Sequence, residues 1–287
     1  MSVTFFSIPR PMHPPFDRIQ FNAVWSWAQI PGAKVVLFGD EYGIDQLLAI
    51  SPVIKQVNIV ARNQNNTPLV NSLIQQIAAE TDDQWVAFIN ADIVVSPGLA
   101  LAIEQVRSQQ IGPHVMMCRR WDTDVPFVIP TDDPHWFQTI SDHVGDQKAL
   151  YGANGIDFIL FPQGLYDAMP PFSIGWPGAA YDNWMVWEAR RQGVPVIELT
   201  DQVVIFHQNH PVQKSEHPPA KMKEKYINHY YMGGYGYCYD MRDATHRLNH
   251  RGVVEALPFP IQHWRLHLKR RIQRVVDGIR FRWRRPI

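Results

Sequence analysis

Two acidic positions in this chain sit where carboxylates can do chemistry. In Phe88-Ile89-Asn90-Ala91-Asp92 an apolar strand runs out into a polar residue, a spacer and an acid. Period-two geometry sets Asn90 and Asp92 on one side, and both offer oxygen ligands of the kind Mg2+ or Mn2+ prefers. The plain alternative is an Asp capping the following turn. The second position, Asp182, follows Gly175-Trp176-Pro177-Gly178-Ala179-Ala180-Tyr181 and opens a helix with Met185, Val186 and Ala189 on its apolar side. Aspartate is a preferred N-cap, and it is also a group that can take a proton from a hydroxyl. The glycine and proline ahead of it leave room for a second molecule. Trp176 and Trp184 add flat apolar faces of the kind sugar rings pack on. His207 follows the apolar run Val203-Val204-Ile205-Phe206, with His210 three residues on; a lone histidine is usually structural, but a late strand end sets this one apart.

These residues need elements to position them. Strand-like and helix-like segments alternate through the first half: Val3 to Ile8, then a helix over Asp17 to Ala28 stopped by Pro31-Gly32, then a strand over Lys34 to Phe38. A short helix at Ile44 to Ile50, a strand at Val57 to Val60, and a helix opened by Thr67-Pro68 and running to about Glu80 follow. Trp85 to Ile89 is the fourth strand, Ser96-Pro97 starts a helix through Arg107, and His114 to Cys118 is the fifth strand. This alternation predicts an α/β fold, a mostly parallel central sheet flanked by helices on both faces. Ligands of such sheets bind beyond the carboxyl ends of the strands. The polar strand ends are Pro9-Arg10, Asp40-Glu41, Arg62-Asn63 and Asn90-Ala91-Asp92. Residues 119–150 read as a long, acid-containing loop region. Beyond them come a strand at Gly155 to Phe161, a short helix at Gln163 to Ala168, the helix at about Asp182 to Arg191, and strands at Val194 to Leu199 and Val203 to Phe206. Met232 to Tyr237, with three glycines, reads as a loop.

Composition fits this reading. The chain has 287 residues, 46% hydrophobic, with 27 basic and 27 acidic side chains, enough to bury an ample core and too apolar for a disordered chain. Two cysteines 120 positions apart, Cys118 and Cys238, exclude a disulfide scaffold and fit a reducing compartment. No apolar run approaches the ~20 residues that span a bilayer, and the first residues lack the pattern of a secretion signal. A cytoplasmic protein is expected.

Two common phosphate cradles are missing, since no GxxxxGK[ST] occurs and no GxGxxG follows the first strand. Held by carboxylates, a divalent cation is the other way to neutralise a pyrophosphate and stabilise it as a leaving group. The order of four short motifs then resembles the nucleotide-sugar-dependent glycosyltransferases of the GT-A fold, family 2-like inverting enzymes in particular. They are Asn90-Ala91-Asp92, Gly152-Ala153-Asn154-Gly155, Tyr181-Asp182-Asn183-Trp184-Met185 and Phe206-His207-Gln208-Asn209-His210, and the resemblance covers roughly residues 3–210. It implies a nucleotide-diphosphate sugar donor, a Mn2+ or Mg2+ ion held by Asp92 and His207 (with His210 the alternative ligand), and Asp182 as base toward an acceptor hydroxyl. It also implies donor contacts from Pro9, Arg10, Asp40, Arg62, Asn63, Asn90, Ala91 and Asp92, and acceptor or sugar contacts from Asn154, Asp157, Trp176, Gly178 and Trp184. Two departures stand out: Asn90 where the pattern has its first Asp, and Tyr181 where it often has Glu.

The tail differs in character. From Arg265 to Ile287 there are nine Lys or Arg and one acid, Asp277, so the first 264 residues carry a net charge of −8. Trp264, Leu268, Ile272, Val275, Ile279 and Trp283 recur at three- and four-residue steps, the pattern of a basic amphipathic helix over about 262–284. Such a helix fits an anionic membrane interface, an apolar stripe packed on its own domain, or a nucleic-acid patch; no nucleic-acid partner is expected here. The expected organisation is a catalytic domain over 1–215, with a nucleotide-sugar half of about 1–118 and an acceptor half of about 119–215, and an extension over 216–287. The function expected is sugar transfer to a glycan or lipid-linked acceptor, at the inner face of a membrane. The competing classes are a sugar-phosphate nucleotidyltransferase, which wants a glycine-rich basic loop that Ser7 to Pro11 does not supply, and a non-catalytic glycan- or membrane-binding protein on a degenerate transferase fold.

Overall fold

A computed structural model describes residues 2–174, 180–210, 219–258 and 263–283. The first strand shows how the layers are built. In β1 (Val3–Ser7) every residue is buried, and alternate side chains face opposite helix layers. Val3 and Phe5 join the core under α1 (Phe16–Ala28) and α4 (Gly98–Ser108), which contribute Ala23, Val24, Trp27, Leu99, Ile103 and Val106. Phe6 faces the other layer, with Leu73 and Ile77 of α3 (Val70–Glu80) and Met185 and Ala189 of α6 (Tyr181–Arg191). Burying each such side chain stabilises the fold by about 1.5–3 kcal/mol.

β1 pairs in parallel with β2 (Ala33–Phe38) and with β4 (Trp85–Ile89); β3 (Ile54–Val57) extends that edge beyond the short helix α2 (Ile44–Leu48). On the other flank β9 (Phe158–Pro162) lies antiparallel between β4 and β6 (Val115–Met117), followed by β10 (Val196–Glu198), β12 (His246–Leu248) and β13 (Val254–Ala256). The result is a nine-stranded, mostly parallel sheet among the described residues, as expected. Because β12 and β13 belong to it, the sheet runs on past residue 215.

A second sheet has four strands in the order β5 (Ile93–Val95), β11 (Ile205–Gln208), β7 (Arg120–Thr123) and β8 (Ala149–Leu150). Trp25, Val94, Trp136, Ile140 and Phe206 fill the space between it and α5 (Trp136–Val144). Residues 119–150 are therefore largely ordered elements rather than one loop. Arg120 and Asp122 on β7 hide its strand pairing, and β8 is only two residues long. Three further expectations shift. The third strand ends level with Phe38 at Val57 because it pairs along β2, leaving Ile59 79% exposed. Pro68 lies in a bridge to Arg62, so α3 starts at Val70. Residues 163–168 form turns, not a helix. Among the described residues no helix is long and apolar enough to cross a membrane.

Candidate active site

β11 positions the first half of the site. It runs antiparallel to β5 and parallel to β7, which sets His207 opposite Ile93 on one side and Asp122 on the other. His207 is thus inside the strand, not after it. Its neighbour Gln208 points the other way into a buried polar knot. Asn22 donates to Gln208 Oε1 (2.9 Å) and to the Phe127 carbonyl, and accepts from the Ile129 amide, while Gln208 Nε2 donates to the Ile19 carbonyl. Leaving one of these buried groups unpaired costs about 1–3 kcal/mol, so the knot fixes the register that aims His207.

β4 delivers Asp92. At its end the Ile93 amide closes a turn on the Asn90 carbonyl (3.1 Å), so Asn90 and Asp92 do not alternate as in a strand. Asn90 Nδ2 instead donates to Asp157 Oδ1 (2.6 Å). Asp92 Oδ2 lies 3.6 Å from His207 Nε2 and 3.4 Å from His210 Nε2. The other oxygen, Asp92 Oδ1, is buried with no hydrogen-bond partner. Beyond His207, whose Nδ1 is 3.3 Å from Asp122 Oδ1, Arg120 donates to Asp122 (2.9 Å) and to Asp157 (2.7 Å) while lying over the Tyr151 ring. A chain of acidic and basic groups results: Asp92, His207, Asp122, Arg120 and Asp157, with Asn90 bonded to Asp157 at its end.

Burial alone would raise the Asp92 carboxyl, but hydrogen bonds and charge from His207 and His210 hold it well below the usual carboxylate range. In Asp157 burial prevails over the Arg120 guanidinium and pushes the carboxyl up. Burial would lower His207, and the Asp92 carboxylate more than offsets it. Asp92, His207 and His210 offer three ligand atoms within 4.8 Å of one another. Together with the orphaned Asp92 oxygen, this donor set suits a divalent cation.

Asp182 forms the other half. It is not the N-cap of α6; that position is Ala180, whose φ of 58° is left-handed and strained for a residue with a Cβ. The buried Tyr181 ring packs edge-on against Phe88 of β4 (5.9 Å), which ties the start of α6 to the strand carrying the Asn90 turn. Burial, with Asp157 adding to it, raises the Asp182 carboxyl to about 7 against the pull of the first-turn amides and Arg120. Asp182 is thus within electrostatic reach of Asp157 and Arg120.

The remaining predicted residues divide. Arg10 is exposed and lies over Phe16 (5.1 Å), whose ring meets His210 (5.1 Å), so it stands beside the histidines. Pro9 is buried, Ala91 partly so, and Asp40 is exposed at the end of β2. Arg62 pairs with Glu41 (3.0 Å) and donates to the Asn66 carbonyl, and Asn63 braces its own loop while donating to Glu224 (3.1 Å). Asn154 is exposed, and its carbonyl receives the Asn183 amide (3.5 Å). Trp184 is a correction: 6% exposed between Phe172 and Trp187, it has no free face for a sugar. Trp176 and Gly178 lie outside the described residues. Sequence reasoning missed Arg120, Asp122, Phe16 and Tyr151. The signal was Arg119-Arg120-Trp121-Asp122, a fifth polar stretch directly after a buried strand.

No family model and no curated protein matches the chain. Solved structures do. Residues 1–349 of S. aureus TarS, in complex with UDP-GlcNAc, align with a TM-score of 0.52 at 13% identity, covering 81% of this chain and 66% of that one. The chain has a GT-A-like fold. A mannosyltransferase from Pyrobaculum calidifontis in complex with GDP-Man and Mn2+ follows at 0.47 and 12%, covering 80% and 62%. Glucosyl-3-phosphoglycerate synthase from Mycobacterium tuberculosis, in complex with Mg2+ and UDP, aligns at 0.45 and 12%, covering 79% of each chain. This GT-A-like chain spans less than two thirds of the length of the first two.

Proposed function

We propose that this chain is a glycosyltransferase moving a sugar from a nucleotide-diphosphate sugar to an acceptor hydroxyl with inversion. The observation that carries the reading is the Asp92–His207–His210 triad at the carboxyl edge of the sheet, linked through Arg120 and Asp157 to a half-buried Asp182 whose carboxyl burial pushes up to about 7. A base with that affinity is close to ideal at neutral pH. Asp182 takes the acceptor proton as the hydroxyl oxygen bonds to the anomeric carbon. The bond from that carbon to the diphosphate breaks, and the nucleoside diphosphate leaves with the electron pair. Asp92, His207 and His210 would hold a divalent cation that supplies charge neutralisation to the departing diphosphate. Two imidazoles favour Mn2+ over Mg2+, which prefers oxygen throughout. Arg10, over Phe16 beside the histidines, would meet a phosphate, and Arg120, bonded to Asp157 and Asp122, would hold them around the sugar. A GT-A-like fold shared with sugar-nucleotide complexes supports the donor class, and a glycan or lipid-linked alcohol is the acceptor proposed.

The test is a thermal-shift and slow-hydrolysis screen of nucleotide sugars with and without Mn2+. A metal-dependent shift with one donor and its hydrolysis are expected. A flat panel would overturn the proposal in favour of a non-catalytic protein, and pyrophosphate release from a sugar phosphate and a nucleoside triphosphate would overturn it in favour of a nucleotidyltransferase.

A further inference from the structure

The C-terminal helix α8 (Trp264–Trp283) docks the wrong way round for an ordinary amphipathic helix. Its polar face is inside. Arg270 is 6% exposed and donates to both oxygens of Asp243 (2.7 Å each) and to Asp240 (3.1 Å), while lying over the Tyr239 ring. Arg274 donates to the Gly236 carbonyl and to the Tyr239 hydroxyl, and buried Asp277 accepts from the Tyr235 amide (3.0 Å). The apolar stripe faces out: Trp264, Leu268, Ile272, Val275, Val276 and Ile279 are each 49–65% exposed. At 100° per residue these six occupy about a third of the helix circumference. Lys269 and Arg280 border one side of that arc and Arg271 the other, all exposed, and Arg265 lies within it at the first turn.

We propose that this face of α8 is a docking surface for an anionic lipid bilayer. The argument is charge complementarity joined to shape. The helix carries a single acid, Asp277, and that acid is spent internally, so every exposed charge described on α8 is positive. A second copy laid stripe to stripe would bring two sets of these cations together. A nucleic acid would meet Lys269, Arg271 and Arg280 across a band of aliphatic side chains that it cannot use. A bilayer interface takes both parts: the stripe enters the acyl boundary and the flanking cations meet the anionic headgroups. Some 20 residues give about 30 Å of contact parallel to the surface. The proposal does not depend on the transfer chemistry.

Co-sedimentation of the full chain with phosphatidylcholine vesicles, and with the same vesicles containing phosphatidylglycerol, tests it. The chain is expected to pellet with the second only, and to be released as salt rises from about 0.1 M to about 1 M and the screening length falls from ~10 to ~3 Å. Replacing Leu268, Ile272 and Ile279 together by Glu is expected to lower partitioning at least about tenfold with an unchanged melting temperature. The gentler Ile272→Ser, which alters no charge, is expected to lower it about threefold to tenfold. Absence of binding to the anionic vesicles, or binding untouched by Ile272→Ser, overturns the proposal. So does a dimer in light scattering that Leu268→Glu dissociates, or duplex-DNA binding in place of vesicle binding.

Discussion

Asp92 and Asp182 are held at opposite ends of the carboxylate range by what surrounds them. Two histidines keep Asp92 ionised, whereas burial beside Asp157 lets Asp182 keep its proton to about 7. A base works in its ionised form, so turnover is expected to rise with pH through about 7 and level off above, as read from kcat against pH. Asp182→Asn should lower transfer by about 10²–10⁴-fold and leave donor affinity nearly unchanged in a binding titration. The same substitution should stabilise the fold. With a folded-state affinity above the unfolded value of 3.8, Asp182 binds more protons folded than unfolded between those pH values, so its contribution is lost as pH rises toward 7. Above that window, Asp182→Asn is expected to raise stability on the order of 1–2 kcal/mol, after allowance for screening. A lower melting temperature at pH 8 would contradict this. At the triad, His207→Ala or Asp92→Asn should weaken Mn2+-dependent nucleotide binding at least about tenfold, measured by calorimetry with and without the metal.

Elements decide what those residues can do, and they also explain why Asn90 stands first in Asn90-Ala91-Asp92. Asn90 donates to Asp157 at 2.6 Å. An aspartate there would set two carboxylates against each other, and Asn90→Asp is expected to cost about 1–3 kcal/mol in denaturant unfolding. Most strands and helices through Cys118 were legible because they are apolar runs or helical periods bounded by Pro or Gly. The third strand, Ile54–Val57, was misplaced because Lys55 and Gln56 break its apolar run, and the three-residue β5 was too short to stand out. Asp92, Asp182 and His210 stood out because each falls at or beside an element end within an ordered set of motifs, and His207 because it interrupts the apolar run of β11. The small sheet was not, since Arg120 and Asp122 lie on its polar face and read as loop polarity until β11 is seen beside them. Burial of Trp184 was equally hidden, because an aromatic at the start of a helix looks the same whether it faces a sugar or Phe172. The glycines of 232–237 read as a loop, yet they make room for α8. A Cβ on Gly234 would meet Asp277 Oδ2 at 2.1 Å, from a φ of 103° that strains any L side chain, and one on Gly236 would meet Arg274 Cγ at 2.4 Å. Gly236→Ala is expected to loosen α8 and lower the melting temperature, with a stability loss of about 1–3 kcal/mol.

Across the whole molecule, the C-terminal helix is tied to the start of α6 by a short relay. Arg270 and Arg274 grip Tyr239, whose amide and carbonyl bond Asn183 beside Asp182, and the Met241 amide bonds Ala153. Asp240 and Asp243 are 4% and 2% exposed; Arg270 pairs with both, and Arg242 also pairs with Asp240. The tail is consequently not a detachable handle. Shortening the protein to end at residue 258 would leave the buried Asp243 without its cation, while Asp240 keeps Arg242 (2.6 Å), a defect of about 3–5 kcal/mol close to the start of α6. Such a trimmed protein would lose more than its outer stripe: its own chemistry would suffer even in the absence of any lipid.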